Sequence, residues 1–585
     1  MHGEDALSRK AFTLTLAFLL LYGIFLVSTS SFEQAYAGQA HGIQQNDSPV
    51  RNLNTSRTYS AIQAAINAPE TLDGHEILVA SGTYYEHVNV SKSVSLIGED
   101  HDTAIIDGDG TGKVVYVSAD NVVIRNFTIR NGAFGVWLSN SSSSKIIGNK
   151  LQDGAYGLRL YDSSNSEVIG NEISGYTWFG VEIKESGNST LRNNRMVKNK
   201  YNFGVNGNSL SDFLNDIDIS NTVDGNSIRY LINQHNTTID ASTFHELGYL
   251  GIVNSTNITV KNLNVENNKQ GILFAYTTDS RITNVNAKNN WNGIYVAHSS
   301  NITLTRNKAH DNFDYGIKLF NSSRSRVSQN NVDNNDWAGI GLFVSLNSTV
   351  DGNEANFNTY NLHVVYTNNT VFSRNNALVV RPNGYSIAVF YSRGNLIYHN
   401  NLANSLLRVQ QRNTWDNGQE GNYWSLYQGA DTDQDGVGDT IYMAGPYNID
   451  NHPLMGRFHD FTVTIDGKNF SITIVSNSTL SQLRASDNTQ ISFTAAGERE
   501  TTGFSRIAAP NTLLQALHNG HLSFSINGEE PVLERKWTDE IHTYFYFSYM
   551  NSVSNSTIGP WLFAIVASAF LLEFAVVFLL LARRN

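Results

Sequence analysis

One feature constrains this chain above all others, a repeat of about 23 residues. Segments beginning at Gly135, Gly157, Gly180, Gly293, Gly316, Gly339, Asn361 and Ser386 align, with 22 to 25 residues between consecutive starts inside each of two blocks. One residue after the start stand Val136, Leu158, Val181, Ile294, Ile317, Ile340, Leu362 and Ile387. Three further apolar columns run through the same segments, holding for example Leu138, Ile146 and Leu151 in the first copy. Fourteen residues after the start every copy carries Asn: Asn149, Asn171, Asn194, Asn307, Asn330, Asn353, Asn375 and Asn400.

Apolar residues two apart mark a strand with one face buried. Three short strands per repeat make one triangular coil, and an Asn recurring at one offset belongs at a bend. There its amide can bond the equivalent Asn of the next coil and the neighbouring main chain, so stacked copies form a ladder. The aliphatic side chains of one coil bury too little apolar area to offset the entropy of ordering it, so stacking must stabilise each copy. The expectation is an all-β chain built as a parallel β-helix over 58–420, with about 13 coils spaced ~4.8 Å apart. Thr58–Asn67 has helical apolar spacing at Ile62, Ala65 and Ile66, which suits a cap over the first coil. Between Gly204 and Gly251 the period breaks, so an insertion or a distorted pair of coils is expected there.

The ends indicate the compartment. Arg9 and Lys10 precede an apolar run from Ala11 to Val27, followed by Ala35-Tyr36-Ala37. This reads as a secretory leader over 1–37 or, uncleaved, as an N-terminal anchor. A second apolar run over 560–582, interrupted by Glu573 and closed by Arg583 and Arg584, is long enough for a C-terminal transmembrane helix with its C-terminus in the cytoplasm. The expected location is therefore membrane-anchored and extracellular. Sixteen N-x-S/T triplets, among them Asn89, Asn126, Asn257, Asn301, Asn347 and Asn477, are glycan acceptor candidates in an exported chain. The chain has no Cys, which excludes disulfides and thiolate metal sites, and its net charge of −12 argues against a nucleic-acid partner. No phosphate-binding G-x-x-x-x-G-K-[ST] loop is present.

Several stretches carry a more specific likeness: IQAAIN from Ile62, GTYYEHVNV from Gly82, SLIGED from Ser95, DISNTVDGNSIRYLINQH from Asp218, NITVKNLNVENNKQGILFAYTT from Asn257 and GNYWSLYQGADTDQDGVGDTIY from Gly421. On these, the chain resembles right-handed parallel β-helix proteins of the NosD type, described as periplasmic copper-binding, and in particular their archaeal cell-surface branch. GFSRIAAP from Gly503 and HTYFYFSYMNS from His542 resemble a small β-sandwich that follows such β-helices, here over 457–550. The resemblance implies fold and surface location, and it brings copper handling as one functional reading. Copper favours clustered His, Met or Cys. The 16 His are scattered, and among the 5 Met, apart from Met1 beside His2 at the chain start, Met455 lies near a His, namely His452.

Three sets of residues are chemical candidates. Asp431, Asp433, Asp435 and Asp439 fall at positions 1, 3, 5 and 9 of an oxygen-ligand loop within an acidic linker over 421–456. Gly436 stands at position 6, and the Val437 carbonyl fills position 7. This spacing fits Ca2+, although Tyr442 replaces the expected Glu at position 12 and only Asp450 is near enough to substitute. Trp178, Trp291, Tyr315, Trp337 and Tyr360 recur at or beside the residue before the repeat start, as Phe134, Tyr156, Phe179, Phe203 and Tyr385 also do. Aromatic faces beside Asn and Asp suit sugars, whose rings have an apolar face and a polar edge. His310, Asp311, Asp314, Asp333 and Asp336 are the best cluster for acid–base chemistry, but no diagnostic set of acids and basic partners accompanies them. The reading is a surface protein that binds glycans or envelope components. The competing readings are a polysaccharide-modifying enzyme and a copper-binding maturation factor.

Overall fold

The computed structural model describes residues 50–553 except 245–246, 404–407, 410, 466, 487–489, 499–500 and 518–521. The leader over 1–37 and the apolar run over 560–582 lie outside the described residues. Among the described residues no helix is long and apolar enough to cross a membrane. The chain forms two compact units, one comprising residues up to 370 with 379–392, the other comprising 371–378 with 393 onward.

The first unit is a stack of parallel coils. Val136 pairs with Leu158 and Leu158 with Val181 in successive coils, and further along Ile294, Ile317, Ile340, Leu362 and Ile387 form one continuous column. A second sheet aligns Ile146, Val168 and Leu191, and later Ile282, Leu304, Val327 and Val350. All of these side chains are fully buried. The solenoid has about 16 turns, more than the repeat alone counts, because the early strands and the interrupted stretch also wind as coils.

The Asn column forms the expected ladder. Asn330 donates its main-chain N–H to Asn353 Oδ1 at 3.0 Å and its Nδ2 to the same oxygen at 2.9 Å and to the Leu304 carbonyl at 3.0 Å. Its own Oδ1 receives both donors of Asn307 at 2.9 Å. The bend itself belongs to the preceding residue: Gly148, Gly170, Asn193, Arg306, Gln329 and Gly352 hold positive φ. A second buried ladder, through Asn268, Asn290, Asn312, Asn335 and Asn358, follows the same rule. A hydroxyl ladder through Ser299, Ser322, Ser345, Thr367 and Ser392 lines another turn. At the start of the stack, Ile62–Asn67 is helical and buries Ile62, Ala65 and Ile66. It is shorter than expected because Thr58–Tyr59 pairs with Val50–Asn52 instead. The Glu86 carboxylate accepts the N–H groups of Ile62 and Gln63 at 2.8 and 2.9 Å, serving the free donors of the helix N-terminus.

The interruption is a distorted pair of coils. Asp216–Ile217 and Thr222–Val223 still pair in parallel with the preceding coil. Then Asp224 and Gly225, both at positive φ, reverse the chain so that Asn226 and Ser227 lie antiparallel to Thr222–Val223. This two-residue turn replaces the longer loop that regular coils carry at that edge. The strands on either side consequently meet: Asn202 N–H donates to the Asn267 carbonyl at 2.7 Å, and Lys269 N–H to the Phe203 carbonyl at 2.9 Å. A buried charge cluster spans the same junction. Glu182 pairs with Lys269 and, at 3.0 Å, with Arg159. Burial pushes the Glu182 carboxyl up, but Lys269 and Arg159 outweigh it and hold the group below its ordinary range. Burial pulls Lys269 down despite Glu182.

The outer face of the first sheet is covered too. Tyr295, Lys318, Gly341 and His363 stand in register across four coils. Gly341 leaves room for the Tyr315 ring, which a Cβ there would approach to 2.5 Å. The Tyr315 hydroxyl lies 2.9 Å from His363 Nδ1, and Tyr360 stacks on the imidazole at 4.7 Å. Burial, with Lys318 nearby, brings His363 down to about 3.

The second unit contains the last coils, the acidic linker and a two-sheet sandwich. Five strands run in the order Arg457–Ile465, Lys468–Ser476, Thr502–Pro510, His542–Met550 and Val532–Thr538. They pack on Thr479–Ser486, Gln490–Gly497 and Ser523–Ile526 around Ile474, Phe493, Ile507 and Phe545. The compact unit therefore begins earlier than the expected boundaries at 421 and 457. Asn401 exchanges two hydrogen bonds with the Phe458 main chain at 2.8 and 2.9 Å, and Glu420 binds both His399 and the buried Arg506.

Two predictions follow from the buried charges. Glu182→Gln strands Lys269 in the interior and should cost about 3–5 kcal/mol in denaturant unfolding of the first unit, with part restored by adding Lys269→Met. A loss below about 1 kcal/mol would show the cluster to be dispensable. His363 stays neutral in the fold while the unfolded chain protonates below 6.5, so its contribution to stability is complete above that pH and falls on acidification towards about 3. Relative to His363→Phe, the parent should lose about 1.4 kcal/mol per pH unit below 6.5. Parallel stability curves for the two proteins between pH 7 and 4.5 would refute this.

Candidate functional site

The skipped loop at Asp224–Gly225 opens a groove of about 570 Å3 in the first unit, lined by Lys198, Lys200, Tyr201, Asp224, Asp311, Phe313 and Asp336 together with asparagines from three coils. Tyr201 and Phe313 are its aromatic lining, and Trp178 and Trp291 pack against them. Trp178 comes within 5.4 Å of Trp291 and 5.1 Å of Phe313 between ring centroids, and Trp291 within 4.6 Å of Phe313. Tyr201 completes the cluster at 5.8 Å from Trp291. The Lys200 ammonium sits over the Trp178 and Phe313 rings at 4.8 and 5.2 Å. Trp178 and Trp291 precede and follow the interruption, so the missing loop is what brings them together.

The expected sugar-contacting residues separate into three settings. Trp178 and Trp291 belong to the groove cluster. Trp337, 44% exposed, packs on Tyr360 at 5.2 Å, and Tyr360 stacks flat on Tyr385 at 5.1 Å, extending the aromatic track to the next coils. Tyr315 is 3% exposed, covered in the cluster around His363, and offers no free ring face. Phe203 also differs from expectation. Tyr201 pairs with Phe179 in the aromatic column, while Phe203 pairs with Val181 and is buried. The coil from Phe179 to Tyr201 keeps the ordinary length, so the repeat position of Gly180 falls at Asn202 and not at Gly204, and the aromatic at Tyr201 was the available signal. Lys198, Lys200 and Asp224 carried no signal, because only the long-range closure gives them a shared cavity.

Of the acid–base candidates, Asp311 and Asp336 line the groove, and both are engaged. Asp311 holds His310 Nδ1 at 2.6 Å and also accepts from Asn334. Asp336 pairs with Arg381 at 2.8 Å. Asp314 lies behind the wall, 3.4 Å from Lys318, with its carboxyl raised by burial. Asp333 accepts from Asn331 Nδ2 at 2.9 Å and from Asn356 N–H at 2.7 Å, as a turn-stabilising group. His310 turns its other nitrogen to Asn286 at 3.1 Å. The five do not converge on one point, so the arrangement suits hydrogen bonding to a ligand better than proton transfer.

In the second unit, Asp431, Asp433 and Asp435 each offer an oxygen within 4.8 Å of the others. The loop is shaped by its own carboxylates: Asp431 accepts the N–H groups of Asp435 and Gly436 at 3.0 Å, and Asp435 accepts that of Val437 at 2.7 Å. Burial, and after it repulsion from neighbouring carboxylates, raises Asp431 and Asp435. Arg535 lies 3.3 Å from Asp433. Asp439 turns away to the N–H and hydroxyl of Thr432 at 2.9 and 2.7 Å, and Val437 bridges to Leu454. Asp450 is not a substitute ligand. It stands where the next ladder Asn would be, accepting from Asn422 N–H and Trp424 Nε1 at 2.8 Å. Tyr442 stacks on Trp424 at 4.5 Å.

A stretch of 104 residues is 38% identical to a cell surface glycoprotein of Methanothermus fervidus, covering 18% of this chain and 17% of that protein. Similar solved structures include the A-module of a mannuronan C-5 epimerase of Azotobacter vinelandii, at 15% identity over 63% of this chain and 95% of that one with a TM-score of 0.27. A pectin methylesterase of Yersinia enterocolitica aligns at 16% identity over 46% of this chain and 90% of that one, with a TM-score of 0.22. The sequence pattern of the right handed beta helix region matches residues 89–244, 203–354 and 249–403, together more than half of the chain. Stacked parallel coils and that pattern coincide, and the chain belongs to the right-handed β-helix family.

Proposed function

We propose that the protein is a cell-surface β-helix that binds glycan chains or envelope components in the groove lined by Tyr201 and Phe313, beside Trp178 and Trp291. The observation that supports this most directly is that the Tyr201 and Phe313 rings share one open cavity with hydrogen-bonding side chains. A sugar ring can lay its apolar face on the Phe313 and Tyr201 rings, which Trp178 and Trp291 support, and turn its hydroxyls to Lys200, Asp311 and Asp336. The Trp337–Tyr360–Tyr385 track continues along the same edge, which suits a ligand longer than one residue. The leader-like N-terminus and the stretch shared with a cell surface glycoprotein support export, and the run over 560–582 supports a membrane anchor.

A polysaccharide-modifying enzyme is the competing reading. Its support is the presence of two groove carboxylates, and the pairing of Asp336 with Arg381 weighs against it. Copper handling of the NosD type is weaker still as a reading, because the group of potential metal ligands found among the described residues is all carboxylate. That group supports calcium instead: the cation would relieve the repulsion among Asp431, Asp433 and Asp435.

Glycan-array binding by the exported portion should fall at least tenfold, about 1.4 kcal/mol, in Trp178→Ala and measurably in Trp337→Ala, with the circular dichroism unchanged. Equal binding by parent and Trp178→Ala would reject the groove, and release of reducing or unsaturated sugar ends would favour the enzyme. Calorimetric titration with calcium should give saturable heat that Asp433→Ala abolishes, and calcium at a hundred times its Kd should stabilise the second unit by about 2.7 kcal/mol. A parent protein that takes up no heat ends the calcium reading.

A further inference from the structure

The groove lies at the turn entering each strand of the first sheet. At the other end of those strands is a second turn with a different chemistry. In register across its coils stand Val123, Lys145, Glu167, Thr190, Asp216 and then, after the interruption, Thr238, Thr259, Arg281, Thr303, Arg326 and Thr349. The position plainly accepts Val, Lys, Glu or Arg, so the fold does not require Thr there. Yet each of these five Thr follows an Asn by two residues: Asn188, Asn236, Asn257, Asn301 and Asn347. Where the residue two earlier is Ser143, Asp279 or Arg324, the column holds Lys145, Arg281 or Arg326, and two further Asn at that place, Asn121 and Asn165, precede Val123 and Glu167 and are not acceptors. The positive φ of 52–56° at these five Asn explains a preference for Asn and does not explain the paired Thr.

We propose that this turn is an N-glycosylated edge, with oligosaccharide carried by Asn188, by one of Asn236 and Asn257, and by Asn301 and Asn347. All five side chains are exposed. Asn188, Asn257 and Asn301 each donate one Nδ2 hydrogen to the coil below, to Asn165, Asn236 and Asp279 at 2.6, 2.7 and 2.7 Å. An amide nitrogen has two hydrogens, so a glycosyl bond replaces the outward one and leaves the ladder bond intact. The donor is an oligosaccharide on a polyprenyl phosphate, used by a transferase of the exporting cell. Its C1–O bond breaks, the phosphate leaves with the bonding electrons, C1 bonds to Nδ2 and the displaced amide proton passes to solvent.

Spacing fits the assignment. Asp279 separates Asn257 from Asn301 and Arg324 separates Asn301 from Asn347, so those acceptors sit two coils, about 10 Å, apart. Asn236 and Asn257 occupy adjacent coils at about half that distance, too close for two oligosaccharides side by side, so a glycan on one excludes the other. No N-x-S/T triplet begins at an asparagine lining the groove, namely Asn199, Asn267 or Asn289. The inference rests on the exported location proposed above and is independent of what the groove binds.

The test is glycopeptide mass spectrometry on the full chain, recovered from the surface of a host that exports it and glycosylates N-x-S/T acceptors. Expected are glycans on Asn188, Asn301 and Asn347, and on Asn236 or Asn257 but never both on one molecule. Thr303→Val, tolerated because Val123 already fills that column, should remove the glycan at Asn301 alone. Recovery from the surface secures the location separately. Bare asparagines along this turn, with or without glycans at Asn89 or Asn477, would overturn the assignment, as would joint occupancy of Asn236 and Asn257.

Discussion

The structure depends on a buried primary amide whose hydrogen-bonding capacity is fully used. In each internal rung the carbonyl oxygen receives the main-chain N–H and the side-chain amide of the coil before. The amide nitrogen gives one hydrogen to the next rung and one to a strand carbonyl, as at Asn330. Asp lacks the donors and Gln is too long for the same geometry, so an internal rung admits no ready substitute, whereas Asp450, after Asn422, serves where the rung need only accept. Because each bond crosses between coils, the ladder fixes vertical register as well as satisfying the bend. The aliphatic columns behind it supply most of the apolar burial, but they tolerate exchange among Val, Leu, Ile and Met, and so specify stacking less sharply.

That rigid register gives the interruption its effect. Since the coils before and after are held in line, removing a loop at Asp224–Gly225 cannot be absorbed by sliding. The edge closes instead, bringing Lys269 onto Glu182 and Trp291 onto Trp178. A buried ion cluster is a costly way to join two strands, but it is selective, because a mispaired neighbour would leave a charge without a partner. The result is a cavity whose walls come from segments far apart in the sequence.

Much of the fold was legible in the chain itself. Period-two apolar residues and an Asn at one offset are local signals, and they led to parallel coils, a helical cap and a bend. The second ladder through Asn312, Asn335 and Asn358 was equally regular but hidden among many other asparagines. The groove was less legible. Trp178 and Trp291 were visible as unusual aromatics, whereas Lys200 and Asp224 became site residues only through a closure spanning the irregular coils. Tyr315 read like its neighbours, and only the absence of a side chain at Gly341, one coil on, explains why its ring lies flat and hidden. Asp450 looked like a loop ligand by proximity in sequence, while its actual partners, Asn422 and Trp424, belong to the ladder.

The tight reversal at Asp224–Gly225 acts as a calliper. Its shortness sets the width of the opening while Asp224 itself forms part of the wall, since the stack on both sides is fixed independently. Lengthening that hairpin by a few residues would narrow or plug the cleft while leaving every coil in place. Relatives built on the same scaffold therefore have a simple way to diversify what they admit, by altering loop size at one position and leaving the core untouched.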